Sequence, residues 1–284
     1  MADIKIQLPM DKVAESVTSR AQAPLLHEDA SMDTTEAREK IAHDLLACGL
    51  RRGGIVLVHS SLSSLGHVPG GAETVVQGLL EALSPEGTLL LPALSYEHVG
   101  AHQRVFDVLR TLSNVGAIPE HFRTRAGTLR SICPTHSVCG VGPLAGEMLG
   151  EHHLDDTPCG PHSPFRKLRD RGGQILFLGC GLRPNTSMHG VEELAQPPYL
   201  FEPAAITYRV ILADGREMDL ALRHHSFPGY RQRYDRVGAL LEPGVELHVG
   251  PVLQATAHLL EARAMWRRAL AALEKDKLYF VEPR

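Results

Sequence analysis

The sequence predicts an α/β fold with a mixed, largely parallel central sheet flanked by helices and an antiparallel C-terminal hairpin. Three short apolar runs predict strands buried on both faces, as in parallel sheets. They are residues 55–58, 88–91 and 174–179. A strand–loop–helix–strand order joins the first two runs and indicates a βαβ unit. Alternating residues on both sides of a turn at Asp214-Gly215 predict the hairpin.

The remaining elements follow from periodicity and turn residues. Helical spacing begins at Asp33 and near Glu73, and a further helix begins near Gly116. Residues 185–195, 230–241 and 252–273 are also predicted to be helices, and residues 278–281 form the last predicted strand. Residues 1–30 are polar and lack a sustained period, so we expect an N-terminal arm followed by one domain over residues 31–284.

The composition is that of a globular protein with a sizeable core. Of its 284 residues, 43% are hydrophobic and 22% are charged. The formal net charge of -4 disfavours nucleic acid as a partner. No apolar run approaches the roughly 18 to 20 residues that span a bilayer, and the first thirty residues lack a signal-peptide pattern. Five dispersed cysteines argue against a disulfide framework. We therefore expect a cytoplasmic protein without a membrane partner.

A polar loop, His59–Gly66, follows the first predicted strand and precedes a helix. Backbone N–H groups in such a place can hold a phosphate. The loop matches neither a Walker motif nor GxGxxG, so an ordinary polar turn remains an alternative. The segment Gly179-Cys180-Gly181 lacks the acidic residue and third glycine of a methyltransferase motif.

Sixteen histidines are present, but their spacing does not indicate a metal site. The pairs have no CxxC, HExxH or zinc-finger spacing, so we predict no metal and interpret most as hydrogen-bonded or solvated loop residues. Cys133 and Cys180 lie near histidines in the sequence, yet small buried cysteines are the simpler interpretation.

The best catalytic candidate is the segment Asn185–Glu193. Either of its first two residues can cap a helix, which places His189 in the first turn, where the positive helix end disfavours a protonated imidazole. Glu192 lies three residues further on, so its carboxylate shares the histidine's face. A histidine oriented by a carboxylate is a general-base arrangement. A chance pair on a surface helix is the alternative, but the position after a buried parallel strand favours a site.

Seven motifs in order resemble those of the aminoglycoside 3-N-acetyltransferase family, antibiotic acetyltransferases whose fold is distinct from the GNAT superfamily. The resemblance runs from about Thr34 to Arg268. Each motif alone is unspecific, whereas all seven in order are a strong signal. The motifs are Val58–Leu62, Gly70–Val75, Pro85–Leu89, Ser113–Glu120, Arg130–Val138, Gly160–Phe165 and Thr186–Glu192.

The resemblance implies an acetyltransferase domain over residues 31–284, acetyl-CoA as co-substrate, and direct transfer to an amine. It assigns His189 as the general base, Glu192 as the residue that orients it, and Thr186 as a residue near the thioester. It also implies CoA contacts by residues of the loop after the first strand and by the glycine before a later helix. These residues are Ser60, Ser61, Leu62, Ser63 and Gly116.

A polycationic aminoglycoside needs an acidic cleft, so we expect it to contact Tyr96, Asp155, Asp156 and Glu193. The sequence departs from the family at Cys133, where many members have His, and at Gly190-Val191, which replaces the more usual Leu-Ala. An acyltransferase for another small amine and a CoA-binding sensor without activity are the alternatives, although the intact His189 and Glu192 argue against a sensor. The sequence leaves the oligomeric state open, with a homodimer as one outcome.

Overall fold

The computed structural model describes residues 32–284, and the predicted arm over residues 1–30 lies outside the described residues. The helices of the described part are α1 (Thr34–Ala47), α2 (Gly71–Leu83), α3 (Ala117–Thr124), α4 (Ala145–Leu149), α5 (Pro164–Asp170), α6 (Ser187–Ala195) and α7 (Ala262–Lys275). None of them is long and apolar enough to cross a membrane.

The strands of the same part begin with β1 (Ile55–Ser60), β2 (Thr88–Pro92), β3 (Val105–Asp107), β4 (Leu129–Arg130), β5 (Val138–Val141) and β6 (Gln174–Leu178). They continue with β7 (Phe201–Ile211), β8 (Glu217–His225), β9 (Tyr230–Gln232), β10 (Leu247–Val252), β11 (Ala255–Glu261) and β12 (Val281–Pro283).

Seven of these strands form a mixed sheet in the order β10-β11-β6-β1-β2-β5-β4. Strand β1 is parallel to both of its neighbours, with Leu57 opposite Leu90 of β2 and Ile175 of β6. The outer pairs are antiparallel. The α/β fold class and the βαβ unit β1-α2-β2 are therefore confirmed, and the parallel pairing is concentrated in the three central strands.

The central strands are apolar throughout because both faces of the sheet are covered. Side chains alternate between the faces, so successive residues enter different cores. Val56 and Val58 pack with residues of α1, α2 and α3, whereas Leu57 and Phe177 pack with residues of α5, α6 and α7. This packing holds α6, the helix of the candidate base, against the sheet.

Helix α1 begins where the sequence predicts it. The Asp33 carboxylate accepts hydrogen bonds from the Thr35 and Glu36 amides, at 2.7 and 2.9 Å, and the Glu36 side chain accepts one from the Asp33 amide at 3.0 Å. This capping box satisfies amides that have no partner inside the helix.

The predicted hairpin is also confirmed. Strands β7 and β8 pair antiparallel, with Tyr208 opposite Leu220, and β3 adds to β7 in parallel to complete a three-stranded sheet. The last residues of β8 are His224 and His225, which this sheet brings to the cavity described below.

One predicted helix near the C-terminus is wrong, and a second begins later than predicted. Residues 230–241 form β9 and a 3-10 helix, Tyr234–Leu240, whose three-residue repeat buries Tyr234 and Val237. The predicted helix over residues 252–273 begins only at Ala262, because the preceding residues form the β10–β11 hairpin. Buried and exposed residues alternate in β11, and α7 follows directly. The period of two in the strand therefore runs into the helical period without a break that would mark the boundary. The last strand lies at Val281–Pro283, slightly later than predicted.

Candidate active site

A cavity of about 610 Å³ opens at the carboxyl ends of the central parallel strands. Ser60 at the end of β1, Pro92 at the end of β2 and Cys180 just after β6 line it. Open α/β sheets bind their ligands at this edge. The cavity is therefore the candidate active site of the described chain.

His189 lies in the first turn of α6, as the sequence predicts, and lines this cavity. Thr186 is the N-cap residue and also lines the cavity, but its side chain makes no capping hydrogen bond. The Thr186 carbonyl accepts a hydrogen bond from the His189 amide at 3.1 Å. The Thr186 hydroxyl is thus not used by the helix end.

Glu192 lies behind His189 and is fully buried. Its Oε2 is 3.5 Å from His189 Nδ1, and the Tyr234 hydroxyl contacts both groups. That hydroxyl donates to Glu192 Oε2 at 2.7 Å and is 3.1 Å from His189 Nδ1, while Tyr199 donates to the other carboxylate oxygen at 2.9 Å. Burial raises the pKa of Tyr234 well above its usual value, and the nearby Glu192 raises it further, so the hydroxyl stays protonated.

A second histidine–glutamate pair lies beside the first. His225 Nε2 is 2.9 Å from Glu193 Oε1, which also accepts from the Cys159 amide at 2.8 Å, and Thr157 donates to Oε2 at 2.7 Å. Burial lowers the pKa of His225 well below its usual value, and the charge of His189 lowers it further. Its Nε2–H therefore donates to Glu193, and its buried Nδ1 has no partner among the described residues.

His136 completes a group of three, which we call the three-histidine cluster: His136, His189 and His225. The His189 and His225 rings stack with centroids 4.5 Å apart and planes 19° apart, and His136 meets both edge-on at 5.4 and 5.5 Å. One ring nitrogen of each residue lies within 4.8 Å of the other two. The Nδ1 of His136 is 2.8 Å from the Thr135 hydroxyl.

The cluster does not fit a transition-metal ion as it stands. Zn–N bonds of about 2.0–2.1 Å bring the nitrogens of a tetrahedral site to about 3.4 Å of each other. A metal ion must also lie near the plane of each imidazole. The stacked His189 and His225 planes are nearly parallel, so they do not converge on one nearby point. The sequence-based expectation of no metal stays a prediction.

The residues predicted to bind CoA are divided between the cavity and the loop beside it. Ser60 lines the cavity, and its buried hydroxyl has no partner in the described part of the chain. The Ser61 amide donates to the Leu178 carbonyl at 2.9 Å, so this amide is not available to a phosphate. Leu62 and Ser63 begin a short 3-10 helix and do not line the cavity.

Gly116 precedes α3 with a φ of 117°, a conformation that favours glycine. Its neighbours Val115 and Pro119 line the cavity. A Cβ at Gly116 would lie 3.9 Å from the Ser60 carbonyl oxygen, so the glycine is placed next to the end of β1. The structure thus brings the predicted Gly116 and Ser60 together.

Of the residues predicted to contact the acceptor, only Tyr96 lines the cavity. The Asp155 carboxylate is buried and accepts hydrogen bonds from the amide of His162, and Glu193 is enclosed behind His225. Asp156 is exposed and lies outside the cavity lining. No Asp or Glu side chain is among the described residues that line the cavity.

Sequence reasoning missed three residues of this site. His136 lies in one of the seven motifs, which could have indicated it, but no local pattern indicated a role for His225 or Tyr234. Those two residues come from the hairpin sheet and the 3-10 helix, and only tertiary folding brings them to His189.

The glycine after the candidate base has a packing reason. A Cβ on Gly190 would overlap the indole of Trp266 in α7. We expect Gly190→Ala to lower the free energy of unfolding by about 1–3 kcal/mol, the usual cost of overpacking. Urea unfolding measures this. Gly146→Ala is the matched control, because a Cβ there meets nothing within 4 Å. Equal unfolding midpoints for both variants would contradict the assignment.

The sequence of the chain matches one family of known proteins. Residues 57–274 match the family model described as aminoglycoside 3-N-acetyltransferase. The chain is 31% identical over 275 residues to aminoglycoside N(3)-acetyltransferase VII of Streptomyces paromomycinus, covering 86% of this chain and 93% of that protein. It is 34% identical over 175 residues to aminoglycoside N(3)-acetyltransferase IX of Micromonospora chalcea, a match over 56% of this chain and under two thirds (62%) of that protein.

A solved structure has a similar fold. AAC-IIIb in a binary complex with CoASH superposes with a TM-score of 0.73 at 27% identity, covering 84% of this chain and 96% of that one.

Proposed function

The chain belongs to the aminoglycoside 3-N-acetyltransferase family, and we propose that it transfers the acetyl group of acetyl-CoA directly to the 3-amino group of an aminoglycoside. The observation that carries the proposal is His189, which lines the cavity and has the buried Glu192 and Tyr234 behind it. The names of the relatives supply the acceptor class, and the CoASH complex of a structural neighbour supplies the donor. The cytoplasmic location stays a prediction from the sequence.

In this mechanism His189 acts as the general base. An aliphatic amine is largely protonated near neutral pH and must lose a proton before its lone pair can attack. The ammonium first loses one proton to solvent. His189 Nε2 then accepts a second proton from the nitrogen as it attacks the thioester carbonyl and forms the C–N bond. The tetrahedral intermediate breaks its C–S bond, and the proton held by His189 passes to the CoA thiolate, so that an amide and CoASH leave.

The residues around His189 have separate roles. Glu192 and Tyr234 hold Nδ1 and stabilise the imidazolium that forms. In this proposal the Thr186 hydroxyl donates a hydrogen bond to the developing oxyanion, as such groups do in acyl transfer. These roles are proposals that rest on the cavity lining and the hydrogen bonds.

Ser60 is the proposed CoA contact with the clearest structural support, because its buried hydroxyl is unpartnered in the described residues. We expect Ser60→Ala to raise the KM for acetyl-CoA by about five- to tenfold, the equivalent of one lost hydrogen bond. Initial rates at varied acetyl-CoA measure this. Ser64→Ala is the control, because Ser64 bonds to the Ser61 hydroxyl and does not line the cavity. An unchanged KM in a folded Ser60→Ala variant would remove Ser60 from the CoA site.

A second candidate function is N-acylation of a small amine other than an aminoglycoside. The cavity lining favours it, because Arg183 and Arg284 belong to the lining while carboxylates are absent from the described lining residues. An amine that also carries an acidic group would suit these cations.

Thiol release from acetyl-CoA separates the two functions. The panel contains gentamicin, other aminoglycosides with a free 3-amino group, and singly charged amines, each at low and high salt. The first proposal predicts turnover of aminoglycosides with an acceptor KM that rises with salt, since screening weakens attraction of a polycation. Turnover confined to small amines would promote the second function, and no thiol release with any amine would overturn both.

A further inference from the structure

We propose that Arg130 positions the acceptor side of the cavity, because its guanidinium clamps the long loop that carries Tyr96. The loop covers residues 93–116, between β2 and α3. Arg130 lies in β4 and does not line the cavity, so it acts through Tyr96 as a positioning residue and does not touch the substrate. The inference rests on the proposed function and adds to it a residue that controls acceptor binding.

Three N–H donors of Arg130 hold the first residues of the loop. Nη2 donates to the Ser95 hydroxyl at 2.8 Å and to the Ala93 carbonyl at 3.1 Å. Nε donates to the Ser137 hydroxyl at 2.9 Å, and that hydroxyl donates in turn to the Ala93 carbonyl at 2.8 Å. Both serines are fully buried, so water does not compete for these hydrogen bonds. The start of the loop is thereby joined to the residue that precedes β5.

The other two donors hold a later part of the same loop. Nη1 donates to the Thr111 carbonyl at 2.6 Å and to the Val108 carbonyl at 3.2 Å. The guanidinium also lies over the ring of Phe106 in β3, 4.8 Å from its centroid. All five N–H donors of the planar guanidinium are therefore used, and they join two segments of the loop that are far apart in the sequence.

The charge of Arg130 is held by dipoles rather than by an ion pair. Its five partners are hydroxyl and carbonyl oxygens, while the carboxylates of Asp107 and Glu120 pair with Arg110 and Arg123. Burial lowers the pKa of Arg130 to about 10, so the guanidinium stays protonated at neutral pH. A buried cation costs free energy unless its donors are satisfied. The positions of the two loop segments are therefore tied to the clamp.

The clamp borders two residues that line the cavity. Ser95 precedes Tyr96, and Ser137 follows His136. The Ser95 amide also donates to the Thr135 carbonyl at 3.0 Å, which holds the loop against the segment of His136. The ring centroids of Tyr96 and His136 are 6.4 Å apart, so the two rings form one wall of the cavity. A shift of either serine displaces this wall, which carries the proposed acceptor contact Tyr96.

Arg130→Lys tests the inference, because lysine keeps the charge but has a single nitrogen and no planar fork. With gentamicin as the acceptor and saturating acetyl-CoA, we expect the acceptor KM to rise about five- to tenfold, the equivalent of one lost hydrogen bond. The KM for acetyl-CoA stays within about twofold, because sites without shared partners respond independently. An unchanged acceptor KM in a folded variant, or an equal rise in both KM values, overturns the inference.

Arg51→Lys is the matched control. The Arg51 guanidinium donates to the Glu261 carboxylate at 2.6 Å and to the Gly172 carbonyl at 2.7 Å. It precedes β1, so it lies at the opposite edge of the sheet from the cavity. Both KM values of this variant stay at those of the wild type.

A double-variant cycle with Tyr96→Ala separates positioning from a general loosening of the fold. Tyr96 is half exposed, so its truncation leaves the core intact. If Arg130 acts through Tyr96, Arg130→Lys raises the acceptor KM by no more than about twofold in the Tyr96→Ala background. The full rise in both backgrounds shows that Arg130 does not act through Tyr96, and overturns the inference.

Ser95→Ala covers the case in which Arg130→Lys does not fold. It removes one acceptor of the clamp and leaves Arg130 in place. We expect the acceptor KM to rise about two- to fivefold, in the same direction as for Arg130→Lys. Circular dichroism and urea midpoints establish that each variant is folded. An unchanged acceptor KM in the folded serine variant also overturns the inference.

Hydrogen exchange tests the clamp even in a wild type that does not turn over gentamicin, so a failure of the proposed function is seen separately. In the folded clamp variant, we expect faster amide exchange within residues 93–99 and 108–114, whose amides bond to loop and β5 neighbours. Exchange in β1 and β6 stays at the wild-type rate. Exchange equal to that of the wild type in both loop segments, or faster exchange throughout the chain, overturns the inference.

Discussion

His189→Ala is expected to lower kcat by about two to four orders of magnitude, the usual range for loss of a general base. The affinity for CoA should stay nearly unchanged, because the residues proposed to contact CoA lie on the β1 loop and before α3. Steady-state rates with acetyl-CoA and an aminoglycoside measure the loss, and calorimetry with CoASH measures the binding.

Folding must be controlled, because His189 is largely buried between His225 and Tyr234. His43→Ala, on the exposed surface of α1, gives the reference for both rate and unfolding midpoint. Near-normal turnover in a folded His189→Ala variant would remove the base assignment.

Glu192→Gln is expected to lower kcat by at least about tenfold but by less than His189→Ala, because it weakens orientation without removing the base. The carboxylate accepts from Tyr199 on one oxygen and from Tyr234 on the other. An amide replaces one of these oxygens by an NH₂ donor, so one tyrosine hydroxyl must reorient. Steady-state kinetics of the variant, with its unfolding midpoint, measure the effect.

Tyr234→Phe is the companion variant. The Tyr234 hydroxyl contacts both His189 Nδ1 and Glu192, so its removal should reproduce much of the Glu192→Gln loss. A double variant that loses no more than the larger single effect would show that the two residues act as one unit. A Glu192→Gln loss greater than that of His189→Ala would make Glu192 the primary base.

The central part of the fold could be predicted because its signals are local. Runs such as Ile55–Val58 are apolar on both faces, and only a strand covered on both sides requires that pattern. The start of α1 is also a local signal, because the capping residues Asp33 and Glu36 lie within one turn of each other. The β10–β11 hairpin was missed where two periods overlap: β11 alternates and then passes directly into α7 at Ala262.

The candidate site could be predicted only where its residues share one element. His189, Glu192 and Thr186 lie on or next to α6, so helical spacing was enough to bring them together. His225 and Tyr234 reach the same point from other elements, and sequence spacing carries no such information. Acidic residues close to His189 in the sequence gave a misleading signal, because Glu193 points behind His225 and away from the cavity.

A crystal structure of the protein with CoASH and gentamicin tests the central claim most directly. The account predicts that the 3-amino nitrogen lies about 2.6–3.2 Å from His189 Nε2, the reach of a general base. It also predicts that the CoA sulfur lies beside Thr186. A 3-amino group bound outside the cavity, or one held by other residues with His189 facing no ligand atom, would contradict the account.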